Sequence, residues 1–398
     1  MKRGPAPLSR SSLQAVVSPG VGDSLTLPAE AYNAAGVLEW ERENLFAGGW
    51  VCAGRSDAVQ AHNGAVNAVE LAGERVLLTR DESGVFHGFY NTCRHRGHEL
   101  VPSGEWRGAR AITCPYHAWS YELDGKLRSA PHFGNVPGFD PADYSLVPVR
   151  TATWRGWCFV NLSDDSAPLT DNLGSLDSLV APWEPERLCV AATHTYDVHA
   201  NWKTIVENFH ECYHCPSIHP ELCAVTDLAS GGNLKPDGLW LGGPMSLKAN
   251  ARTMSLSGAS EGVRLPGLSD AQARQLHYYC LFPNLLISLF PDYAMTHRLQ
   301  PVDETQTEVE CSWLFPPEAM RRPGFDPAYA VDFWDRTNRQ DWQACESVAR
   351  GLRSRGFRPG PMTWKEDGVH AFMAMIAGAY LTGTVSRPDT SLERPPHA

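Results

Sequence analysis

The sequence predicts an α+β protein: a small antiparallel β domain, then a larger α+β domain whose central antiparallel sheet is flanked by helices. Three observations lead to this prediction. A chain of 398 residues is long enough for two hydrophobic cores. Residues 46–165 consist of short β-type runs separated by turn residues, such as RVLLTR, DESG and VFHGFYN. Beyond residue 190, longer strand-like runs such as TEVECSWLF are interspersed with segments of helical periodicity.

Five segments follow one another along the chain. We predict an N-terminal arm and helix, the small β domain, a linker, the larger domain and a flexible tail, over residues 1–45, 46–165, 166–189, 190–382 and 383–398. Within the first segment, Pro, Gly and Ser in residues 1–25 favour a loose arm, and residues 29–45 suit one helix. The periodicity of the larger domain predicts helices near 201–215, 328–355 and 366–380.

Composition excludes several classes of partner. The formal net charge of −11 argues against nucleic acid and anionic membrane surfaces. The sequence shows no run of 18 apolar residues and no apolar signal-peptide core near its start, so we expect a cytoplasmic protein. The 11 cysteines do not look like a small disulfide framework, and metal ligation or core packing is the better expectation in a reducing compartment.

The small domain contains two pairs of metal-ligand residues, in NTCRHRGHEL and TCPYHAW. Cys93 and His95 are two positions apart, Cys114 and His117 are three apart, and 18 residues separate the pairs. Each pair supplies one thiolate and one imidazole, whereas a common zinc-finger pattern pairs two cysteines with two histidines. Mixed pairs suit a Rieske [2Fe–2S] cluster, in which the cysteines hold one iron and the histidines hold the other.

Neighbouring residues fit this interpretation. Gly97 allows a sharp turn in the first loop, Pro115 stiffens the second, and Trp119 could shield a cluster from water. We interpret His98 as a solvated loop histidine rather than a fifth ligand. A zinc site remains the alternative interpretation of these two pairs.

The larger domain contains a second group of candidate ligands, in NWKTIVENFHECYHCPSIHP. At helical spacing, Asn208, Glu211 and His214 fall near one stripe, and Pro216 is predicted to end the helix just before His219. The two imidazoles could then bind one metal ion, with Glu211 accepting an N–H bond from a bound ring. Asn208 is either a polar active-site residue or a helix-packing residue.

Two histidines leave a mononuclear metal short of a ligand. The motif NRQDWQACES supplies Asp341, and spacing alone does not separate it from its neighbours Asp332, Asp335 and Glu346. Two histidines and one carboxylate on one face of iron(II) leave open positions for dioxygen and substrate. Cys212 and Cys215 are interpreted as small packing residues, although a zinc site that included them is the competing possibility.

Together these motifs resemble one family, the catalytic α subunit of Rieske non-haem iron oxygenases. The resemblance covers residues 29–382 and rests on CRHRG and CPYHAW, then NWK…EN…ECYHC…HP, then NRQDW…CE…G. It implies that His214, His219 and Asp341 hold a mononuclear Fe(II) that uses O2 as co-substrate. It further implies that Glu211 links the Rieske histidine of one subunit to an iron ligand of its neighbour.

The resemblance also implies partners. Electrons would cross between subunits of a homo-oligomer, typically a trimer. The chain has no glycine-rich strand–turn–helix fingerprint for a flavin or nicotinamide, so a separate NAD(P)H-dependent reductase of flavin or ferredoxin type must supply them.

The sequence around the predicted metal ligands also favours one substrate class. Glu211 within ECYHC, followed by HPEL, resembles the subgroup acting on glycine betaine, stachydrine, carnitine and choline, which implies oxidative N-demethylation of an ammonium compound. Aromatic candidates for an ammonium cage are Tyr278, Tyr279, Phe282, Phe290, Tyr293 and Trp313. The turn-rich segment 227–265 suits a loop over the active site. An aromatic-ring hydroxylating dioxygenase and a Rieske electron-transfer protein without oxygenase chemistry are the alternative functions.

Overall fold

The computed structural model describes residues 4–17, 24–56, 64–104 and 106–390. The chain divides into two compact units, one of Phe46–Ser166 and one that combines Met1–Leu45 with Ala167–Ala398. The predicted α+β class is confirmed, because each unit is built on antiparallel sheet and the larger one adds long helices. Within the described ranges, no helix is both long and apolar enough to cross a bilayer.

The smaller unit contains two antiparallel sheets. In its described residues the strands are β1 (Val51–Arg55), β2 (Ala65–Leu71), β3 (Glu74–Arg80), β4 (Phe86–Tyr90), β5 (Arg107–Gly108), β6 (Ile112–Thr113), β7 (Ser120–Tyr121), β8 (Leu127–Ser129), β9 (Pro148–Trp154) and β10 (Trp157–Asn161). One sheet has the order β1-β10-β9-β4-β3-β2-β5, and the other has the order β6-β7-β8. The second sheet is small, and the loops that carry the two Cys/His pairs adjoin it.

The larger unit is organised around one seven-stranded antiparallel sheet. Its strands are β11 (Cys189–Val198), β12 (Thr226–Asp227), β13 (Trp240–Leu247), β14 (Gln275–Leu281), β15 (Leu285–Leu289), β16 (Ala294–Asp303) and β17 (Gln306–Phe315), in the order β11-β17-β16-β15-β14-β13-β12. Every residue of β15 is buried, so both faces of the sheet are covered at its centre.

The helices lie almost entirely in the larger unit. They are α1 (Arg10–Val16), α2 (Glu30–Asn33), α3 (Ala35–Glu41), α4 (Leu169–Leu173), α5 (Leu176–Val180), α6 (Trp202–Phe209), α7 (Cys215–Ile218), α8 (Pro220–Val225), α9 (Pro317–Met320), α10 (Ala328–Leu352) and α11 (Asp367–Thr382). The two long helices α10 and α11 match the predicted helices 328–355 and 366–380 closely, since each has a long, uninterrupted apolar pattern.

The N-terminal segment differs from its prediction. Instead of belonging wholly to a loose arm, Arg10–Val16 forms α1, which packs against α11 and buries Leu13 and Val16. The single helix predicted over 29–45 is interrupted at Ala34, whose backbone is extended, so that α2 and α3 are separate. Residues 1–3 and 18–23 of the predicted arm, and 391–398 of the predicted tail, lie outside the described residues.

The segment 166–189, predicted as a linker, is mostly helical. Helices α4 and α5 bury Leu169, Leu173, Leu176 and Val180, and the 3₁₀ turn that follows buries Trp183. These apolar side chains are withdrawn from water, so the segment is a packed part of the larger unit rather than a spacer.

A buried charge network joins α3, α6 and α11. Lys203 and Glu41 are fully buried, with Nζ 2.6 Å from Oε1. Glu41 Oε2 accepts a hydrogen bond from Trp202 Nε1 at 2.8 Å, and its Oε1 accepts another from the Tyr380 hydroxyl. Removing one partner would leave an uncompensated charge in the core, which typically costs about 3–5 kcal/mol. The network therefore fixes α6, the helix that leads to the second group of candidate ligands.

Candidate metal centres

Two tight loops hold the Cys/His pairs of the smaller unit. In the first, Gly97 N donates to Cys93 O at 3.0 Å, and Gly97 has a φ of +73°, as its predicted role in a sharp turn requires. In the second, Ala118 N donates to Cys114 O at 3.0 Å. Each loop thus folds back on its own cysteine and directs the cysteine and the following histidine to the same side.

The structure brings the two predicted histidines together, and likewise the two predicted cysteines. The rings of His95 and His117 lie 4.7 Å apart, centroid to centroid. The Nδ1 atom of each ring is buried and has no hydrogen-bond partner. Cys93 and Cys114 are both 2% exposed. Buried imidazole lone pairs without partners beside two buried thiols fit a [2Fe–2S] cluster of the Rieske type.

Burial shifts the pKa values of candidate ligands at this site. Burial raises the pKa of the Cys114 thiol, and the neighbouring Cys93 adds to the rise. Burial and the neighbouring His95 lower the pKa of His117, which favours the neutral ring that a metal binds. Thiolates at this position therefore need metal ions to stabilise them.

The residues around the pairs occupy the predicted positions. Trp119 is 2% exposed and stacks on His95, with ring centroids 4.9 Å apart. His98 is exposed, and its Nδ1 lies 2.5 Å from the carbonyl oxygen of Glu99. The His98 ring therefore bonds to the backbone of its own loop and is not one of the four candidate cluster ligands. Sequence analysis missed Tyr121, whose hydroxyl lies 3.2 Å from Cys93 Sγ and accepts the Arg94 N–H.

The helix predicted over 201–215 is shorter than expected, and the predicted helical stripe is wrong. Helix α6 ends at Phe209, and Glu211 and His214 lie in the loop before α7 rather than on one helical stripe. The Glu211 carboxylate accepts the backbone N–H groups of Tyr213 and His214, so it stabilises a turn that competes with the helix. Pro216 lies in the first turn of α7, where a missing N–H has no cost, and so begins a helix instead of ending one.

The candidate ligands of the larger unit converge in space. His214 lies at the start of α7, His219 between α7 and α8, and Asp341 on α10. His219 Nε2 is 2.8 Å from Asp341 Oδ1, and His214 Nε2 is 3.4 Å from the same oxygen. One ligand atom from each residue lies within 4.8 Å of the other two. This is the donor set of a two-histidine, one-carboxylate metal site.

The structure separates Asp341 from the competing acids. Asp332 is exposed, Asp335 pairs with Arg339 at 2.8 Å, and Glu346 accepts the His199 N–H at 3.2 Å. Of the four acids, Asp341 is therefore the one that meets the two histidines.

The pKa values of His214 and Asp341 are shifted by their mutual contact. Burial alone would lower the pKa of His214, but hydrogen bonds to Asp341 and Glu211 raise it to about 9. Burial alone would raise the pKa of Asp341, but the two histidines lower it. Without a metal, protons occupy the positions between the carboxylate and the imidazoles, and a divalent cation would replace them.

Each imidazole is oriented by a second side chain. Glu211 Oε1 lies 2.5 Å from His214 Nδ1, as expected of a residue that accepts an imidazole N–H. Gln340 Oε1 lies 2.7 Å from His219 Nδ1, a contact that sequence analysis missed. Both rings consequently direct Nε2 towards Asp341.

The two cysteines of the second motif are paired with each other. Cys212 and Cys215 form a disulfide across the loop that carries His214, which corrects their interpretation as plain packing residues. Cys93 and Cys114, the candidate ligands of the smaller unit, are not in a disulfide. Because both sulfur atoms are used in this bond, the structure does not support the alternative zinc site at these two cysteines.

A cavity of about 860 Å³ opens at the triad. Glu211 and Asn208 line it together with the three candidate ligands. Further lining residues include the aromatic side chains Phe209, Tyr278, Trp334 and Trp342. Among the described lining residues, Lys365 is the single lysine or arginine, and it is exposed.

Most of the candidates for the aromatic cage are core residues, as aromatic side chains on strands usually are. Of the six candidates, only Tyr278 lines the cavity, and Tyr279, Phe282, Phe290, Tyr293 and Trp313 are buried elsewhere in the core. Alternation along β14 explains the first pair, since Tyr278 and Tyr279 point to opposite faces of the sheet. The predicted active-site loop is partly right: residues 228, 229 and 231–233 line the cavity, and so do residues 242–245, which belong to strand β13 rather than to a loop.

Comparison with known proteins identifies the family. Residues 49–140 match the Rieske [2Fe–2S] domain, and residues 185–381 match the ring hydroxylating alpha subunit (catalytic domain). The chain is 32% identical over 342 residues to the carnitine monooxygenase oxygenase subunit of Escherichia coli, covering 84% of this chain and 86% of that protein. The chain belongs to the Rieske non-haem iron oxygenases. It is an oxidoreductase with a Rieske [2Fe–2S] domain and a catalytic domain typical of mononuclear iron.

Two further similarities bear on this oxygenase. It is 32% identical over 370 residues to the glycine betaine monooxygenase oxygenase subunit of Chromohalobacter salexigens, covering 84% of this chain and 81% of that protein. The solved structure of the quaternary ammonium Rieske monooxygenase CntA with L-carnitine superposes with a TM-score of 0.76 at 25% identity, covering 94% of this chain and 99% of the other.

Proposed function

We propose that this oxygenase hydroxylates a C–H bond next to the nitrogen of a quaternary or tertiary ammonium compound, most readily an N-methyl group. The observation that carries the proposal is the convergence of His214, His219 and Asp341 at a cavity with aromatic walls and little positive charge. The similarity to carnitine and glycine betaine monooxygenases supports the same substrate class.

In this proposal Cys93, His95, Cys114 and His117 hold the cluster, and His214, His219 and Asp341 hold iron(II). When bound, the iron supplies dioxygen activation and the cluster supplies single electrons. Glu211 keeps the His214 ring oriented and lies at the loop through which electrons from a neighbouring subunit would arrive.

The cavity can accommodate a cation without hydrogen-bond donors. The faces of Phe209, Tyr278 and Trp342 offer cation–π contacts to an ammonium group. Burial lowers the pKa of His297 to about 4 and that of His210 to about 3, so these two cavity imidazoles, which are not candidate ligands, are uncharged at neutral pH. A substrate cation therefore meets aromatic faces and neutral rings, with the carboxylates of Glu211 and Asp341 nearby.

The net reaction on an N-methyl group balances with two electrons. One atom of O2 enters the C–H bond. The other leaves as water after taking up two electrons from NAD(P)H and two protons, one from NAD(P)H and one from the solvent. The resulting N–CH2OH group breaks its C–N bond, and its hydroxyl proton goes to the solvent from a quaternary ammonium or to the nitrogen of a tertiary amine, so formaldehyde and the demethylated amine are released. Asn208, at the cavity wall, is a candidate to orient the substrate.

Partners follow from this chemistry. The relatives are named oxygenase subunits, which supports a separate reductase as the electron donor. We propose a homotrimer in which the cluster of one subunit serves the iron of the next, acting in the cytoplasm. An aromatic-ring dioxygenase remains the second candidate, since the aromatic walls would also suit a planar hydrocarbon.

Product analysis with a surrogate reductase tests the proposal. Betaine-like ammonium compounds should yield formaldehyde and a demethylated amine when an N-methyl group is attacked. Attack on the other carbon next to the nitrogen should instead release an aldehyde and an amine that keeps all its methyl groups. A cis-diol from simple aromatics, with no product from ammonium compounds, would overturn it. An electron-transfer protein without oxygenase chemistry would bind two irons per chain instead of three.

A further inference from the structure

His219 is held between two consecutive side chains of α10. Its ring is 1% exposed, with Nε2 2.8 Å from Asp341 Oδ1 and Nδ1 2.7 Å from Gln340 Oε1. Successive residues of a helix diverge by about 100°, and the two nitrogen atoms of an imidazole also point in different directions. Helix α10 can therefore contact both nitrogen atoms of one ring, with Asp341 as the candidate ligand and Gln340 as a group outside the donor set.

The orientation of the Gln340 amide decides what it does, because its oxygen and nitrogen have nearly the same shape. In the structure the amide oxygen, Oε1, is the atom that faces the imidazole, at 2.7 Å from His219 Nδ1.

That orientation fixes the tautomer of the ring. An amide oxygen only accepts hydrogen bonds, so His219 Nδ1 must carry a hydrogen, and Nε2 is the ring nitrogen that faces Asp341. We propose that Gln340 is the positioning residue of the candidate iron ligand His219. This inference rests on the proposed role of the triad as an iron site.

The two candidate ligand histidines then differ in electronic character. His214 donates its Nδ1 hydrogen to the carboxylate of Glu211, whereas His219 donates to a neutral amide. A carboxylate acceptor makes an imidazole a more basic ligand than an amide acceptor does. Gln340 thus keeps His219 the weaker donor of the pair while preventing its ring from rotating.

The test compares Gln340→Leu, which removes the acceptor, with Gln340→Glu, which replaces the amide by a carboxylate. Gln343→Leu is the matched control, since Gln343 is exposed on the same helix three residues later. The readouts are the affinity of the cluster-loaded protein for Fe(II), measured against a chelator, and the EPR spectrum of its Fe(II)–nitric oxide adduct. Cluster absorbance is monitored throughout.

We expect Gln340→Leu to bind the third iron about 10–100-fold more weakly with an unchanged cluster spectrum. Gln340→Glu should retain the iron but shift the EPR spectrum of the adduct, and Gln343→Leu should behave as wild type. Wild-type iron affinity and an unshifted spectrum in both Gln340 variants would overturn the proposal.

If Gln340→Leu does not fold, Gln340→Glu decides the question on its own. Its adduct spectrum should shift, and a spectrum identical to that of wild type counts against the proposal. A wild-type chain that binds no third iron would refute the proposed function itself, so the two failures are distinguishable.

Discussion

At the scale of single residues, Glu211 makes two kinds of contact, and sequence analysis predicted only one of them. Its carboxylate accepts the backbone N–H groups that shape the loop, and it also contacts His214 Nδ1. The sequence correctly indicated a carboxylate beside an imidazole, because both residue types and their spacing are local. It attributed the contact to a helical stripe, whereas the contact arises from a turn.

Replacing Glu211 by Gln should leave both metal centres loaded and lower turnover at least 10-fold, because a neutral amide neither polarises His214 as strongly nor carries the charge of the proposed electron route. Iron content, cluster absorbance and the rate at which oxygen and substrate reoxidise the reduced cluster measure this. Ser217→Ala, on an exposed side chain of α7, is the control. Unimpaired reoxidation in Glu211→Gln would remove Glu211 from the electron route.

At the scale of elements, α6 shows how tertiary contacts set a helix. Its N-cap is local, since the Asn201 side chain accepts the Lys203 N–H. Its inner face is determined by distant partners: Glu41 on α3 binds Lys203, and Tyr32 on α2 donates to Glu207 Oε1 at 2.7 Å. The predicted helix start was therefore accurate, and its end was not, because no local signal showed the turn after Phe209.

The burial of Glu207 predicts a pH dependence of stability. Burial raises its pKa to about 8, although Tyr32 and Lys203 act in the opposite direction. An acid whose folded-state pKa is raised contributes its full stability below the unfolded value of about 4.3 and loses it as the pH rises towards 8. From pH 5 to pH 8, wild type should therefore lose thermal stability relative to Glu207→Gln.

The relative shift in Tm should be at least about 3 °C, which corresponds to roughly 1 kcal/mol for a unit of this size. Calorimetry of both proteins at the two pH values measures it. Glu30→Gln, at an exposed position of α2, should show no such shift. A pH-independent difference between wild type and Glu207→Gln would show that Glu207 does not hold a proton in the folded protein.

At the scale of the whole molecule, the two candidate metal centres belong to separate compact units. Each donor set is complete within its own unit: the four Cys/His residues in one, and the two histidines and Asp341 in the other. Loading of one centre should therefore not require the ligands of the other.

Iron content checks this independence. We expect three irons per chain in wild type, two in His219→Ala with an intact cluster spectrum, and one in His95→Ala. His98→Ala should retain all three, because its ring bonds to its own loop. Loss of the cluster in His219→Ala, or of a cluster iron in His98→Ala, would contradict the assignments.

The amino-acid sequence sufficed to predict the chemistry that depends on residue type and short spacing. It indicated the pairs Cys93/His95 and Cys114/His117, the pair His214/His219 and the α+β class, because ligand identity and apolar periodicity are local properties of the chain. These predictions needed no knowledge of distant contacts.

Tertiary packing determines which distant groups complete each site. It selected Asp341 among four acids, excluded five of six aromatic candidates from the cavity, paired Cys212 with Cys215, and brought Gln340 to His219. The physical reason is that Asp341 meets His219 across 122 positions of sequence, so the contact depends on how α10 is packed and rotated. Spacing along the chain carries no information about that rotation.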